Sequence, residues 1–475
     1  MKELKKQSYA KKFLYSAIHS EGYLCSCKEA LEWVEDRKRK VDVNIEITKL
    51  SNLSDWLFNK NLGRVEHYTG KFFSIDAIDV KIQSIDGSSK QWSQPIINQP
   101  EIGFLGCIVK EYDGLLYFLV QAKIEPGNVN KVQISPTLQA TRSNYTKVHR
   151  GNAPKYLEYF NNHKESKIII DQLHSEQGAR FLKKRNRNII VEVEDDIELT
   201  EDFKWLTLGQ IKKLSGYDNL INMDLRTVIS CIPFNEVDKK FIESIKKKNE
   251  NGQLKNFIFF DSLYDDKNGI ESINKTISWL TDLKSKTDIT IKNTSLKKLE
   301  EWDISDEKIS HYKNLYFDIL WVNANIRYRE VASWGQPILA PIDKGVVAFI
   351  IKKINRQYYF LVQAEIECGH LDVYELGPTV SCVENNHPKG SVPFLELLFS
   401  VDKSQILYDS YQSEEGGRFY HEQNRNMIIE VEDIPPENIP SNFRWIAYNH
   451  LLFFNKFNNF LNIGARSLLS LIRFD

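Results

Sequence analysis

Short runs rich in Ile, Val, Phe and Tyr, bounded by Gly, Asp and Pro, recur along this chain and read as strands. In the first half they fall at 72–75, 102–109 and 115–120, with a further run at 189–193. Tyr112-Asp113-Gly114 between the second and third predicts a hairpin. Helical patterning is read over residues 1–60, where Tyr15, Ile18, Leu31, Trp33 and Val34 sit among Lys and Glu and Trp56-Leu57 follows Asn and Asp caps, and again over 154–164 and 174–184. The second half repeats this order. Runs at 346–351 and 358–362 flank an Asn355-Arg356 turn, 427–431 closes the set, and a helix over 272–285 carries Trp279-Leu280 as an echo of Trp56-Leu57.

The repetition extends to individual residues. Residues 92–140 align with 334–382 without a gap, at a constant offset of 242. Trp92-Ser-Gln94-Pro95 returns as Trp334-Gly-Gln336-Pro337, Tyr117-Phe-Leu-Val-Gln121-Ala122 as Tyr359-Phe-Leu-Val-Gln363-Ala364, and Pro136-Thr137 as Pro378-Thr379. Ser175-Glu176-Gln-Gly178-Ala-Arg180-Phe181 matches Ser413-Glu414-Glu-Gly416-Gly-Arg418-Phe419, and Asn186-Arg187-Asn188 matches Asn424-Arg425-Asn426. A period this long is a duplicated domain, since solenoid repeats run roughly 20–50 residues. The expected organisation is a first module over 1–240, a charged linker region over 241–265 and a second module over 266–475. Each is α+β, a mixed sheet flanked by helices.

Composition narrows the function by exclusion. The chain has 475 residues, 42% hydrophobic and 27% charged, with a formal net charge of -1. Such a balance offers no global field for nucleic acid or a membrane surface. The six cysteines lack zinc-ribbon spacing. With no signal-like N-terminus and no run of about 18 apolar residues, a soluble cytoplasmic protein is expected. No G-x-G-x-x-G opens a βαβ unit and no P-loop occurs, so neither a nicotinamide cofactor nor ATP is expected.

Two polar runs carry the candidate chemistry. Gln121-Ala-Lys123-Ile-Glu125-Pro-Gly127-Asn128 ends a strand in a turn, which exposes side chains at a sheet end. Ser135-Pro-Thr137-Leu-Gln139-Ala-Thr141-Arg-Ser143-Asn144-Tyr145 is dense in hydroxyls and amides, an inventory suited to a sugar or nucleotide. Any one of these residues also fits a turn or cap; written twice, the constellation reads as a binding site.

These segments, with Trp92-x-Gln94-Pro95, the Ser175–Asn188 stretch and His67-Tyr-Thr69-Gly70-Lys71-Phe72-Phe73, resemble the NDP-hexose 2,3-dehydratases over nearly all of the chain beyond about residue 40. The resemblance implies two tandem Nudix-like modules, a homodimer, and removal of water across C2 and C3 of a TDP-linked 4-keto-6-deoxyhexose in deoxysugar biosynthesis. A downstream 3-ketoreductase would take the unstable product. One departure is Arg180, where relatives often carry Trp, so base stacking is not expected there. A working Nudix box needs an acidic helix to hold Mg²⁺. The helix expected from Ser175 carries Arg180, Lys183, Lys184 and Arg185 instead, so no metal site and no pyrophosphate hydrolysis are expected.

The reaction so implied needs a base for the C3 proton, a donor for the C4 oxygen and an acid for the departing C2 hydroxyl. The copies differ where this apparatus would sit. Lys123 becomes Glu365, Pro126 Cys368, Asn128 His370, Gln139 Ser381 and Thr141 Val383; Tyr145 falls opposite His387, while Glu125 keeps its partner as Glu367. The first module is therefore expected to hold the working site, with the second vestigial, structural or nucleotide-binding. Lys123 leads the candidates, either polarising the C4 oxygen or binding the diphosphate. Glu125 is read as the C3 base or as a structural carboxylate fixing the turn. Tyr145 is read as acid or donor, and His67 as an alternative base or a structural histidine. Trp92 stacks on thymine or packs at a sheet edge. Ser175, Arg180 and Arg187 are diphosphate candidates, with a turn as the other reading of Asn186-Arg187-Asn188. Gln94, Gln121, Asn128, Thr137, Gln139, Thr141 and Asn144 complete the expected substrate-binding set. The alternative function is a Nudix-like nucleotide-sugar-binding protein without chemistry.

Overall fold

A computed structural model describes residues 8–85, 87–141, 154–161, 166–248, 258–264, 272–326 and 332–475. The duplication is visible as topology. In the first half a seven-stranded sheet runs Lys167–Ser175, Arg185–Glu192, Gly103–Tyr112, Leu115–Ile124, Phe203–Thr207, with Val132–Ser135 on the fourth strand and Leu138–Ala140 on the third. The second half builds the same sheet from Ile406–Ser413, Gln423–Glu430, Gly345–Ile354, Gln357–Glu365 and Phe443–Ala447, with Glu375–Gly377 and Val380–Cys382 in the corresponding places. Each sheet is mixed, because Arg185–Glu192 lies parallel to Gly103–Tyr112, and Gln423–Glu430 parallel to Gly345–Ile354.

Both expected hairpins form. Asp113 and Gly114 take φ of 50° and 81°, and Asn355 and Arg356 take 49° and 72°, the left-handed pair that a two-residue turn between right-twisted strands requires. Tyr117 packs, as read from the sequence: it is fully buried, and its hydroxyl accepts from the Tyr23 amide at 2.9 Å.

Between the large sheets lie the helices Leu208–Leu214 and Met223–Ser230 of the first half and Tyr448–Phe454 and Ile463–Ser470 of the second. One apolar core runs through both sets, from Phe118 and Ile190 to Phe360 and Ile428. Two fully buried arginines bind the halves across it. Arg226 donates to Gln412 Oε1 at 3.0 Å, Ser413 O at 2.7 Å and Ser467 Oγ at 2.9 Å, and Arg466 donates to Ser175 O. Carbonyl and hydroxyl acceptors of this kind are what make a buried guanidinium tolerable.

Each half also carries a five-stranded sheet, and here the halves exchange strands. Val43–Thr48 pairs antiparallel with Phe317–Ile326 of the second half, and Thr287–Thr294 pairs with Ser74–Ser84 of the first. The helical expectation over residues 1–60 therefore holds only for Tyr9–Ile18 and Cys27–Lys40; Val43–Thr48 and Trp56–Asn59 are strands. The repeat of Trp279 is accordingly Trp33, not Trp56. Both sit on helices and donate to carbonyls, Trp33 to Glu201 at 2.8 Å and Trp279 to Ser441 at 3.0 Å.

Two further helical expectations are corrected. Over 154–164 the described residues hold a single 3-10 turn, Leu157–Tyr159. Over 174–184 the chain leaves the strand Lys167–Ser175 and turns, with Lys183 at φ 54°. Its amides are claimed by other segments, Leu182 by Ile97 O at 2.8 Å and Lys183 by Gly369 O at 2.7 Å. Such bonds override the helix propensity of Glu, Gln, Ala, Arg and Lys. The stretch 241–265 includes most of the helix Lys239–Lys248 and the buried Phe259, Phe260 and Leu263, and Ser262 Oγ accepts from the Tyr358 amide at 2.8 Å. All six cysteines are unpaired. No described helix is long and apolar enough to cross a membrane.

Candidate functional site

Glycine decides how the two polar turns are used. Gly127 lies so close to the other half that a Cβ there would stand 1.7 Å from Phe419 O, and a Cβ at Gly369 would stand 1.8 Å from Phe181 O. Gly127 N donates to Gly416 O at 2.7 Å and its carbonyl accepts from His421 N at 2.8 Å; Gly369 N donates to Gly178 O at 2.6 Å. The turn of one half thus clasps the Ser-Glu-x-Gly loop of the other. Two related sites result, and each draws residues from both halves.

The first site stands at the end of Leu115–Ile124. Lys123 Nζ donates to Gln139 O at 3.2 Å, and Glu125 Oε1 accepts from Gln139 Nε2 at 2.8 Å. Asn222 Nδ2 donates to Gln139 Oε1 at 3.3 Å. Asn128 fixes the turn, donating to Lys131 O at 3.0 Å. The opposite half supplies Glu415 and Arg418, the latter over the Phe73 ring at 4.2 Å and donating to Gln99 Oε1 at 3.2 Å. Glu176, Lys184 and Asp224 complete the charged set. Burial, reinforced by Glu415, pushes the Glu176 carboxyl up to about 7 against Arg466 and Lys184. Burial draws the Lys184 ammonium down to about 8 despite Glu176. Glu415 and Asp224 are likewise held up by burial, Asp224 further by Glu415, Glu125 and Glu176.

At the second site a cavity of about 330 Å³ opens beside Trp92, Arg180, Glu365, Glu367, Cys368 and His387. Glu365, in the place of Lys123, accepts from Asn462 Nδ2 at 2.8 Å; burial and the neighbouring Glu367 push it up to about 8. Glu367 lies 2.8 Å from His370; burial opposes the charge of His370, but Glu367, Glu375 and Glu365 together drive it up to about 9. Glu375 accepts from Ser175 Oγ at 2.7 Å, and burial raises it. Burial also lifts Glu414, and Glu422 to about 7. Among the described residues no three His, Cys, Asp or Glu are placed to hold a metal ion.

The residues singled out from the sequence divide accordingly. Lys123, Glu125, Asn128 and Gln139 come together at the first site, with the half-buried Thr141 just beyond Leu138–Ala140. Trp92, Gln94, Ser175 and Arg180 belong with the second. Trp92 Nε1 donates to Gln94 Oε1 at 2.8 Å and Gln94 Nε2 to Ala179 O at 3.0 Å, a clamp that Trp334 and Gln336 repeat on Gly417 O. Arg180 lies over the Phe317 ring at 4.4 Å. The pooling of these residues into one first-module site is thereby corrected, because the clasp carries each Ser-Glu-x-Gly loop to the opposite half.

Thr137 is an internal latch: its Oγ1 accepts from Ile108 N at 3.0 Å and donates to Leu119 O, and Thr379 does the same with Ile350 and Leu361. Gln121 lies within the sheet, its carbonyl accepting from Ser135 Oγ at 3.2 Å. Arg187, expected as a diphosphate candidate, forms a bidentate pair with Asp171 at 2.7 and 2.6 Å, which Arg425 and Asp409 repeat. No helix starts at Ser175, which removes the expected helix N-terminus. His67, on the small sheet, bonds Thr69 Oγ1 at 2.7 Å and meets Trp56 and Phe72 edge-on; His311 repeats this against Trp302 and Tyr316. Asn144 and Tyr145 lie outside the described residues.

Sequence reasoning missed Glu176, Lys184, Asp224, Glu415 and Arg418. The signal for three of them was present: Lys184 faces Glu422 in the alignment of copies, Asp224 faces Gly464, and Glu415 faces Gln177.

Comparison with known proteins shows a family that spans both halves. The family model described as NDP-hexose 2,3-dehydratase matches residues 27–232 and again 273–472. The chain is 37% identical over 473 residues to a Saccharopolyspora spinosa protein named dTDP-4-dehydro-6-deoxy-alpha-D-glucopyranose 2,3-dehydratase, covering 97% of this chain and 94% of that one. A relative from Amycolatopsis orientalis with the same name is 36% identical, covering 98% of this chain and 94% of its own length. One from Streptomyces violaceoruber, again of that name, is 37% identical, covering 93% and 96%.

Proposed function

The chain belongs to the NDP-hexose 2,3-dehydratase family, a family of carbon-oxygen lyases, and from that premise we propose that it removes water across C2 and C3 of TDP-4-keto-6-deoxy-D-glucose at the first site. The observation that carries the placement is the exchange of Lys123 for Glu365 between otherwise matching frames. The first site offers Lys123, Lys184 and Arg418 to a diphosphate and to a developing C4 oxyanion. The second gathers Glu365, Glu367, Glu414 and Glu422 around its cavity together with Arg180, and nearby His370 is engaged by Glu367.

In this reading Glu125 takes the C3 proton, which the C4 ketone acidifies, while Lys123 lies beside the C4 oxygen and stabilises its enolate charge. The C2–O bond then breaks, the hydroxyl leaves as water, and the enol tautomerises to a 3,4-diketo sugar. A product with two adjacent carbonyls calls for a following 3-ketoreductase. Each half is read as a Nudix-like module, and the assembly as a homodimer, both on the strength of the family resemblance.

Incubation of the purified protein with TDP-4-keto-6-deoxyglucose, followed by mass spectrometry, tests the proposal. Loss of one water from the nucleotide sugar is the expected result. Substrate that binds and stays intact would leave a nucleotide-sugar-binding protein, and release of TMP would mark a hydrolase.

A further inference from the structure

Water leaves C2 only if the departing oxygen receives a proton, and the first site contains a carboxyl group placed for it. Asp224 stands in the first turn of the helix Met223–Ser230, is 3% exposed, and its Oδ2 meets no hydrogen-bond donor among the described residues. A carboxylate so buried and without a donor is costly to charge, which favours the neutral acid. Its surroundings reinforce this: Glu125, Glu176 and Glu415 face it as like charges, with Lys123 as the opposing cation. The equivalent residue of the second half is Gly464, which lies on the wall of the second cavity beside Asn462 and Glu365. Asn222, two residues before Asp224, joins Gln139 and through it Glu125.

We propose that Asp224 is the catalytic acid of the first site, handing its proton to the C2 oxygen as the C2–O bond breaks. This rests on the dehydratase reading and deepens it. Glu125 takes the C3 hydrogen as a proton, the C3–H electrons form the C2=C3 bond, and the C2–O pair departs with the hydroxyl, which Asp224 converts to water. On tautomerisation Glu125 returns its proton to C2, and the C3 enol hydroxyl gives its own back to Asp224. The pair is reset with no outside reagent. Gly464 then accounts for the second site having no chemistry even where Glu367 survives.

A substrate analogue with fluorine in place of the C2 hydroxyl separates this role from a structural one, because fluoride leaves without a proton. Asp224→Asn is expected to slow water loss by about 10²–10⁴-fold, the usual worth of a positioned acid. The same variant should release fluoride from the analogue at the native rate. Native-rate dehydration by the variant would overturn the proposal, as would equal slowing of both reactions. A native protein that dehydrates nothing would defeat the parent reading and this one with it. Should the Asn variant not fold, Asp224→Ser carries the same comparison.

Discussion

At position 365 a carboxyl stands where the other copy has an ammonium, in surroundings hostile to a negative charge. Burial and Glu367 hold Glu365 protonated up to about pH 8, whereas an unfolded glutamate loses its proton near its ordinary value of about 4.3. Between those values the folded state binds more protons than the unfolded one, so stability falls as pH rises through the window. Glu365→Gln keeps the neutral form at every pH. The variant is expected to show a flatter dependence of melting temperature on pH between about 5 and 8 than the native protein, with a gain at the upper end. An unchanged slope would mean that Glu365 is charged in the folded protein. At this scale the convergence of Lys123, Glu125, Asn128 and Gln139 was legible, because they stand in the two polar runs of the first copy. The internal partners of Thr137 and Arg187 were not legible, because a polar side chain satisfied within the sheet looks the same in sequence as one awaiting a ligand. Their faithful repetition as Thr379 and Arg425 was the mark of a structural role.

Elements declared by local chemistry were the ones read correctly. The two hairpins, the helix Ile273–Ser285 and the mixed sheet follow from turn residues and apolar runs that need no distant partner. The strand Val43–Thr48 and the turn after Ser175 depend on partners in the other half, and no local pattern announces those. The exchange has a measurable consequence. Ile45→Pro with Glu46→Pro removes ladder donors from Val43–Thr48, an edge strand that, among the described residues, pairs only with Phe317–Ile326. Amides of Trp321–Ile326, which face Val43–Thr48, are expected to exchange faster with deuterium in this variant, although they lie far along the chain. Amides of Ser74–Ser84, whose pairing is with Thr287–Thr294, should keep their protection. Loss of protection confined to 43–48 would contradict the exchange.

At the scale of the whole molecule, duplication has produced two sites whose parts are traded. One loop serves both: Glu176 faces Glu415 and Lys184 at the first site, while the adjacent Gln177 donates to Glu414 Oε2 at 2.5 Å by the second cavity. The common core, with Arg226 and Arg466 each bonded to the opposite half, makes neither site the property of one module. What separates the sites is the pair of lysines: Lys123 and Lys184 of the first stand where the second has Glu365 and Glu422, while Arg418 and Arg180 match. Turnover of TDP-4-keto-6-deoxyglucose by Lys123→Ala and Glu365→Ala, measured side by side, tests this most directly. Loss of activity in Lys123→Ala with near-native turnover in Glu365→Ala is the expected result. The reverse pattern would move the chemistry to the second site and contradict the account.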